Sequence, residues 1–224
     1  MTKLKLPNVT LVSMSSVRVR DTVFALMKSM EHIDFGRVIL LSDTYPSVLP
    51  STVSFRYTTK INSIDDYSFK VVYELPLHIE TEFALIVQYD GFVINPTSWQ
   101  DSFFQYDYIG APFDLPTDDF SYRDSRGEIF RVGNGGFSLR SRRLMLLPVN
   151  LPMVWEPFHG YYNEDGFICG LNRHIFESRG FKFAPFDVAK FFSHEKPLPE
   201  FSGIAPFGFH GKSSIYFRQF QSML

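Results

Sequence analysis

Short apolar runs alternate with amphipathic segments along the first part of the chain. Residues 9–14 (VTLVSM) have no helical period and predict a buried strand. Residues 21–33 carry apolar side chains at i, i+3, i+4 and i+7 and predict an amphipathic helix. Residues 37–41 (RVILL) predict a second buried strand. This order of strand, helix and strand favours an α/β fold, with a mostly parallel central sheet flanked by helices.

A second helix and a third strand follow. Ser63 and Asp66 are three residues apart, as in a capping box with Asp in place of Glu, and predict a helix that begins here. Residues 83–88 (FALIVQ) predict a buried strand that ends in Tyr89-Asp90-Gly91. Open α/β sheets bind ligands at the carboxyl ends of their strands, so these polar residues indicate a binding edge.

The second half of the chain is less regular. Residues 95–127 are rich in Pro, Asp and aromatic residues and predict irregular structure. Residues 132–139 predict a strand with a glycine motif, residues 163–179 a long helix, and residues 181–189 another strand. We find no repeat and no linker, and therefore expect one domain over residues 1–224.

Composition and charge narrow the function classes. Hydrophobic residues make up 45% and charged residues 21%, which is ordinary for a globular protein and excludes a disordered or collagen-like chain. The net charge of −2 argues against a nucleic-acid partner. Cys169 is the single cysteine, which excludes an internal disulfide and disfavours a cysteine-based zinc site. Residues 1–8 lack the apolar stretch of a secretory signal, and no run is long enough to span a bilayer, so we expect a cytoplasmic protein.

Asp90 is the first candidate for chemistry. A hard cation such as Mg²⁺ or Mn²⁺ takes oxygen ligands and is commonly held by one or two carboxylates together with substrate phosphates. Asp90 follows a buried strand, and Gly91 permits a close approach of the backbone. The alternative is an ordinary Asp-Gly turn.

A glycine motif, Gly-Asn-Gly-Gly at 133–136, is the second candidate. The adjacent Gly135 and Gly136 would let the backbone lie flat against a sugar or a phosphate. The motif lacks the Lys-Ser/Thr of a phosphate-binding loop and the spacing of a dinucleotide fingerprint. A plain turn or bulge stays an equal alternative.

Glu164 and Asp165 open a predicted helix, where an ionised carboxylate is favoured by the helix dipole. Such a group can accept a proton from a hydroxyl nucleophile, although neighbouring helical residues point about 100° apart, so that one of the two faces the reaction. Ordinary helix capping is the alternative. His210 near the C-terminus is a candidate metal ligand, with a structural role as the alternative; His194 is a weaker candidate of the same kind.

The order of these features resembles that of nucleotide-diphospho-sugar transferases of the GT-A fold, and most of all one family catalogued as a domain of unknown function. The resemblance runs from the first strand to the tail. It is found in LPNVTLV (6–12), FVINP (92–96), YIGAP (108–112), VGNGGFSLRS (132–141), NEDGFIC (163–169) and FGFH (207–210). The NGGFSLR block is the most specific of these segments.

The resemblance implies an inverting glycosyltransferase that moves a sugar from a uridine-diphosphate donor to a glycan hydroxyl. It implies Asp165 as the general base, Glu164 as a hydrogen-bond acceptor for a hydroxyl, and Mn²⁺ or Mg²⁺ held by Asp90 and His210. Only the last Asp of the family's Asp-x-Asp motif is present. The donor-binding residues it suggests are Ser13, Ser15, Asp65, Lys70, Gln88, Tyr89, Asp90, Asn134, Gly135 and Gly136. The acceptor-binding residues it suggests are the aromatic Trp155, Phe158, His159 and Tyr162.

Several alternatives stay open at this point. A retaining transferase on the same fold and a carbohydrate-binding protein without catalysis both fit the sequence. Arg140 would serve the donor diphosphate or would be a charge on a helix surface. The sequence names neither the donor sugar, nor the acceptor, nor the oligomeric state.

Overall fold

A computed structural model describes residues 3–221 of the chain, without the side chains of residues 220 and 221. Met1 and Thr2, which belong to the N-terminal segment considered above, lie outside the described residues. Among the helices described, none combines the length and the apolar character needed to cross a membrane.

A six-stranded sheet forms the centre of the fold, in the order β3-β2-β1-β4-β6-β5. The strands β1 to β4 are parallel, and β6 runs antiparallel to both β4 and β5. This confirms the predicted α/β class with a mostly parallel sheet. The strands are β1 Leu4–Met14, β2 Ile33–Ser42, β3 Ser54–Tyr57, β4 Phe83–Val87, β5 Tyr108–Gly110 and β6 Phe137–Ser141.

Helices flank the sheet, and a two-stranded parallel sheet lies beside it. The helices are α1 Val19–Met30, α2 Ile64–Tyr73, α3 Arg142–Asn150, α4 Arg173–Glu177, α5 Phe186–Phe192 and α6 Ile215–Gln221. A π-helical turn, Gly166–Leu171, precedes α4, and short 3₁₀ turns lie at Leu75–His78, Pro96–Ser98, Asp101–Gln105 and Pro199–Phe201. The small sheet pairs β7 Ser193–His194 with β8 Gly208–Phe209.

The central strands are buried on both faces. Leu11 and Val12 are adjacent in β1, both are fully buried, and they belong to apolar clusters on opposite faces of the sheet. A strand covered on two sides needs apolar residues at every position, which is why β1 shows an unbroken apolar run in the sequence. The predicted cap of α2 is also confirmed, because the Asp66 amide donates to Ser63 Oγ at 3.1 Å.

Three sequence predictions of local structure are wrong in detail. The first helix ends at Met30, and Ile33 already begins β2. The predicted helix 163–179 is broken into the π-helical turn and the short α4. The predicted strand 181–189 is reduced to a single bridge from Phe183 to Tyr108, since Pro185 starts α5. Proline fixes its φ and lacks an amide hydrogen, so it favours the beginning of a helix over the continuation of a strand.

The strand order decides where a ligand would bind. The chain builds β1, β2 and β3 outwards in one direction and then returns to place β4 on the other side of β1. The crevice outside the carboxyl ends of β1 and β4 is therefore a topological switch point, the usual ligand position in open α/β sheets. Because β6 is antiparallel, the residues before it, including Gly135 and Gly136, reach the same edge.

Candidate active site

A pocket of about 230 Å³ lies at the switch point. Four predicted donor residues line it: Ser13 near the end of β1, Ser15 just after β1, and Gln88 and Tyr89 after β4. The other lining residues are Met14, Ser16, Val17, Thr22, Ile61, Asn62, Ser63, Ile64 and Tyr67. The loop after β1 and the first turn of α2 thus enclose a mostly uncharged space suited to a flat polar group such as a nucleoside base.

Asp90 and His210 meet beside this pocket. Asp90 Oδ1 lies 3.7 Å from His210 Nε2, and this oxygen is buried without a hydrogen-bond partner among the described residues. His210 directly follows β8, and its amide donates to the His194 carbonyl at 2.9 Å. The Gly211 amide donates to the Asp90 carbonyl at 2.9 Å, so the tail is fixed against the end of β4.

The Asp90–His210 pair suits a divalent cation. An unpartnered carboxylate oxygen next to an imidazole nitrogen is a suitable donor set for Mn²⁺, and the Gln88 Oε1 atom lies 3.2 Å from the same nitrogen. Glu195 Oε1 lies 3.8 Å from His210 Nδ1, on the other side of the ring, and cannot share that ion. Within residues 3–221 no group of three or more His, Cys, Asp or Glu side chains is placed to hold a metal. The remaining ligands would therefore come from a bound phosphate.

Gly135 and Gly136 connect this pair to the predicted base. A Cβ on Gly136 would lie 2.1 Å from His210 Nε2, and a Cβ on Gly135 would lie 1.9 Å from Glu164 Oε1. Both positions therefore need glycine, because any side chain would displace one of these groups. The glycine motif lies between Asp90 with His210 on one side and Glu164 with Asp165 on the other.

Glu164 forms a buried ion pair with Arg140. Arg140 is 1% exposed and Glu164 is 6% exposed, and the guanidinium donates to Glu164 Oε1 at 2.9 Å. Arg140 also donates from Nε to Ser138 Oγ at 3.0 Å and lies over the Tyr108 ring. Arg140 is therefore not a charge on a helix surface: it lies in β6 and holds Glu164, which leaves Glu164 less free to accept a bond from a substrate.

Asp165 is a carboxyl group with a raised pKa. Burial raises the pKa, and the negative charge of Glu164 raises it further, while the Gly166 amide and Arg140 act in the opposite direction. The Gly166 amide donates to Asp165 Oδ1 at 2.7 Å. A carboxylate with a raised pKa is a stronger base than an ordinary Asp, which suits proton abstraction from a hydroxyl.

Asp165 faces a second cavity of about 320 Å³, which we call the aromatic cleft. It is defined by Phe113, Phe120, Ser121, Tyr122, Phe130, Gly133, Phe158, His159, Tyr161, Asn163, Asp165 and Gly166. Two of the predicted acceptor residues, Phe158 and His159, line it. The other two, Trp155 and Tyr162, do not line it and pack on one another, with ring centroids 5.8 Å apart.

Three predicted donor residues lie away from the pocket walls. Asp65 is exposed in the first turn of α2. Lys70 is buried, and its ammonium group is engaged by Thr59 Oγ1 at 2.5 Å and Glu74 Oε2 at 3.2 Å. Asn134 accepts the Gly136 amide at 3.1 Å and so shapes the glycine motif from within.

Sequence reasoning missed two cations and a phenol at this edge. The Arg18 guanidinium lies 4.8 Å and the Lys212 ammonium 5.3 Å from the centre of the Tyr89 ring, next to Asp90. The Tyr67 hydroxyl oxygen accepts from Gln88 Nε2 at 2.9 Å, and burial raises the pKa of Tyr67, as do the charges of Glu164 and Asp90. The sequence signals for the two cations are the position of Arg18 shortly after the predicted first strand and that of Lys212 two residues after His210.

A solved glycosyltransferase structure shares this fold. A glycosyltransferase involved in the glycosylation of the major capsid of PBCV-1 matches with a TM-score of 0.54 and 13% identity, over 96% of this chain and 99% of its own. A mannosyltransferase from Pyrobaculum calidifontis, solved with GDP-Man and Mn²⁺, matches with a TM-score of 0.45 and 9% identity, over 82% of this chain and 56% of its own.

The sequence also shows the family to which the chain belongs. Residues 53–210 match the family described as "Protein of unknown function (DUF5672)", and the chain belongs to that family. No curated protein matches the sequence.

Proposed function

We propose that the protein is an inverting glycosyltransferase that takes a sugar from a nucleotide-diphosphate donor, and that residues 1–224 form its single domain. The observation that carries the proposal is the position of the glycine motif. Gly136 contacts His210 beside Asp90, and Gly135 contacts Glu164 beside Asp165, so a diphosphate-binding group and a base meet at one sheet edge. A cytoplasmic location stays a prediction.

The pocket at the switch point would bind the nucleoside, and we keep uridine as the expected base. Asp90, Arg18 and Lys212 lie next to this pocket, so the diphosphate of a donor bound there would lie close to them. Asp90 and His210 would hold a divalent cation, which when bound stabilises negative charge on the diphosphate. The two cations at Tyr89 would act on the same leaving group.

Transfer needs one base and one leaving group. The acceptor oxygen forms a bond to the anomeric carbon while the bond from that carbon to the diphosphate oxygen breaks. The electron pair of the broken bond leaves with the diphosphate, and the proton of the acceptor hydroxyl passes to Asp165. Attack from the side opposite the diphosphate inverts the anomeric centre, and the aromatic cleft in front of Asp165 would hold the acceptor.

Asp165→Asn tests the base. We expect transfer to fall by about 10²–10⁴-fold, because general base catalysis contributes on that scale. Asn keeps an oxygen for the Gly166 amide, so uridine diphosphate binding, measured by calorimetry, should change little. The measurement is nucleotide release in a screen of sugar nucleotides, followed by the anomeric configuration of the product by NMR.

Two results would contradict the proposal in different ways. Full activity of Asp165→Asn would remove the base assignment. A product with retained configuration would exclude inversion and favour the retaining alternative on the same fold. Asp187→Asn, on the exposed surface of α5, is the matched control and should behave as the wild type.

A further inference from the structure

The charges around the aromatic cleft are mostly negative. Among the described residues that line the cleft there is no Lys and no Arg, and Asp165 is the acidic one. Arg123, which follows the lining residue Tyr122, donates to the Gly127 carbonyl at 3.2 Å and lies close enough to Asp118 to lower its pKa. Two other nearby arginines form ion pairs with residues outside the cleft lining. Arg126 pairs with Asp124 and Glu177 at 2.6 Å each, and Arg131 pairs with Glu200 at 3.2 Å.

The rim of the cleft adds further negative charge. The segment between Phe113 and Phe120, which both line the cleft, carries the exposed Asp114, Asp118 and Asp119. Asp118 accepts the Ser121 hydroxyl and the amides of Ser121 and Phe120, and these bonds lower its pKa, so it stays ionised at neutral pH. An anionic ligand entering the cleft would meet Asp165 and the three rim carboxylates, against the one charge of Arg123 near Asp118, and this excess of negative charge opposes its binding.

Aromatic side chains form the walls of the cleft. Phe113 and Tyr122 stack with centroids 4.5 Å apart on one side, and Phe158 packs against His159 at 4.1 Å on the other. Such faces bury apolar C–H surfaces, while the His159 ring and the Tyr hydroxyls supply polar groups at the edges.

A tight hairpin holds His159 at this wall. Phe158 and Tyr161 exchange backbone hydrogen bonds, and the two residues between them, His159 and Gly160, both have left-handed backbones with φ of 51° and 81°. A histidine in this conformation is uncommon and costs free energy, so the hairpin presents the imidazole at the expense of local strain.

We propose that the acceptor is an uncharged saccharide, and that the aromatic cleft selects it over acidic sugars and phosphorylated acceptors. The inference rests on the proposed function, and it specifies the substrate class of that site. A sugar ring has apolar faces for the aromatic walls and hydroxyl groups for His159 and Asp165. A uronate or a phosphate would lose its hydration without gaining a cation.

Matched pairs of acceptors test this selectivity. Methyl glycosides of glucose, galactose and mannose are each compared with the methyl glycoside of the corresponding uronic acid. The two members of a pair differ only at C6, where the uronic acid carries a carboxylate in place of the hydroxymethyl group. We expect kcat/KM to favour the neutral member by about tenfold, the scale of one unfavourable charge contact in a partly exposed site. Equal use of both members, or a preference for the uronates, would overturn the proposal.

A variant that adds a positive charge to the cleft provides the second test of the proposal. Tyr161 is 70% exposed and lines the cleft, so Tyr161→Lys should fold, and Tyr161→Gln removes the same ring without adding charge. Tyr161→Lys should bring the neutral-to-uronate ratio close to one, whereas Tyr161→Gln should keep the wild-type ratio. An unchanged ratio in Tyr161→Lys would contradict the proposal.

Glycoside binding measured in the absence of a donor separates the proposal about the cleft from the proposed transferase function. Saturation-transfer NMR of the same glycosides reports occupancy of the cleft whether or not transfer occurs. Selective binding of neutral glycosides by a protein that turns over no sugar nucleotide would count against the proposed function and would support the cleft. If neither neutral nor acidic glycosides bind, the assignment of the cleft is wrong.

Discussion

The pKa of Asp165 depends on its burial and on two charges, one on the adjacent residue and one on a residue distant in sequence. Asp165 owes its raised pKa to burial and to Glu164, while Arg140, in β6, opposes the shift. Arg140 and Glu164 are both desolvated and are joined at 2.9 Å. Removing one partner of such a pair leaves a buried charge and is costly, so the pair holds the base in position while adding little net stability.

Glu164→Gln should move the pH profile of transfer. Without the Glu164 charge the pKa of Asp165 falls, and the unpaired Arg140 lowers it further, so the base stays ionised to lower pH. The acid limb of kcat/KM should therefore shift to lower pH, and the plateau should fall because a weaker base is a poorer proton acceptor.

The measurement is kcat/KM against pH for wild type and variant. Thermal unfolding of both proteins is needed alongside it, because the altered ion pair also lowers stability. An acid limb that does not move would show that Asp165 is not the titrating base.

At the scale of elements, an antiparallel strand brings the two halves of the site together. β6 starts at the edge where β1 and β4 end, so the glycine motif before it lies between His210 and Glu164. The sequence supports part of this arrangement: the motif, the strand ending before Asp90 and the late histidine are all visible in it. It does not show that β6 is antiparallel, because direction in a sheet is decided by pairing and not by local pattern.

Gly136→Ala should displace His210, since the new methyl carbon would lie 2.1 Å from Nε2. We expect uridine diphosphate to bind about tenfold more weakly in the presence of Mn²⁺, within the usual range of couplings between contacting residues. In a His210→Ala background the same change should cost little more, because the clash is then absent. Calorimetry on the four proteins measures the coupling, and additive losses would mean that Gly136 acts on something other than His210.

At the scale of the whole molecule, the C-terminal segment completes the site at the edge of the central sheet. β8 pairs with β7 and bridges to Val93, which places His210 against Asp90 across most of the sequence. A ligand bound by such distant segments contacts both of them only in the folded state, because the unfolded chain does not hold them together. Binding should therefore stabilise the fold as a unit.

Uridine diphosphate with Mn²⁺ should raise the melting temperature. At a ligand concentration of 100 times Kd, the added free energy of unfolding is about 2.7 kcal/mol, which corresponds to roughly 5–10 °C for a chain of this size. Asp90→Asn should lose the part of the shift that depends on Mn²⁺, while Asp187→Asn should keep it. Differential scanning fluorimetry with and without a chelator provides the measurement, and a shift insensitive to both chelator and Asp90→Asn would argue against a metal.

The sequence by itself determined the elements whose signal is local. Apolar runs predicted the buried strands, and Ser63 predicted the start of α2. The resemblance of the NGGFSLR block to a family of the GT-A fold indicated a sugar-nucleotide transferase. Only the tertiary structure decided the contacts between distant segments. It buried Arg140 against Glu164, paired Lys70 with Glu74, put two of the four acceptor candidates in the cleft lining and two outside it, and brought Arg18 and Lys212 to Tyr89. The physical reason is that a charged side chain carries no local signal of its partner, which is set by strand order and packing.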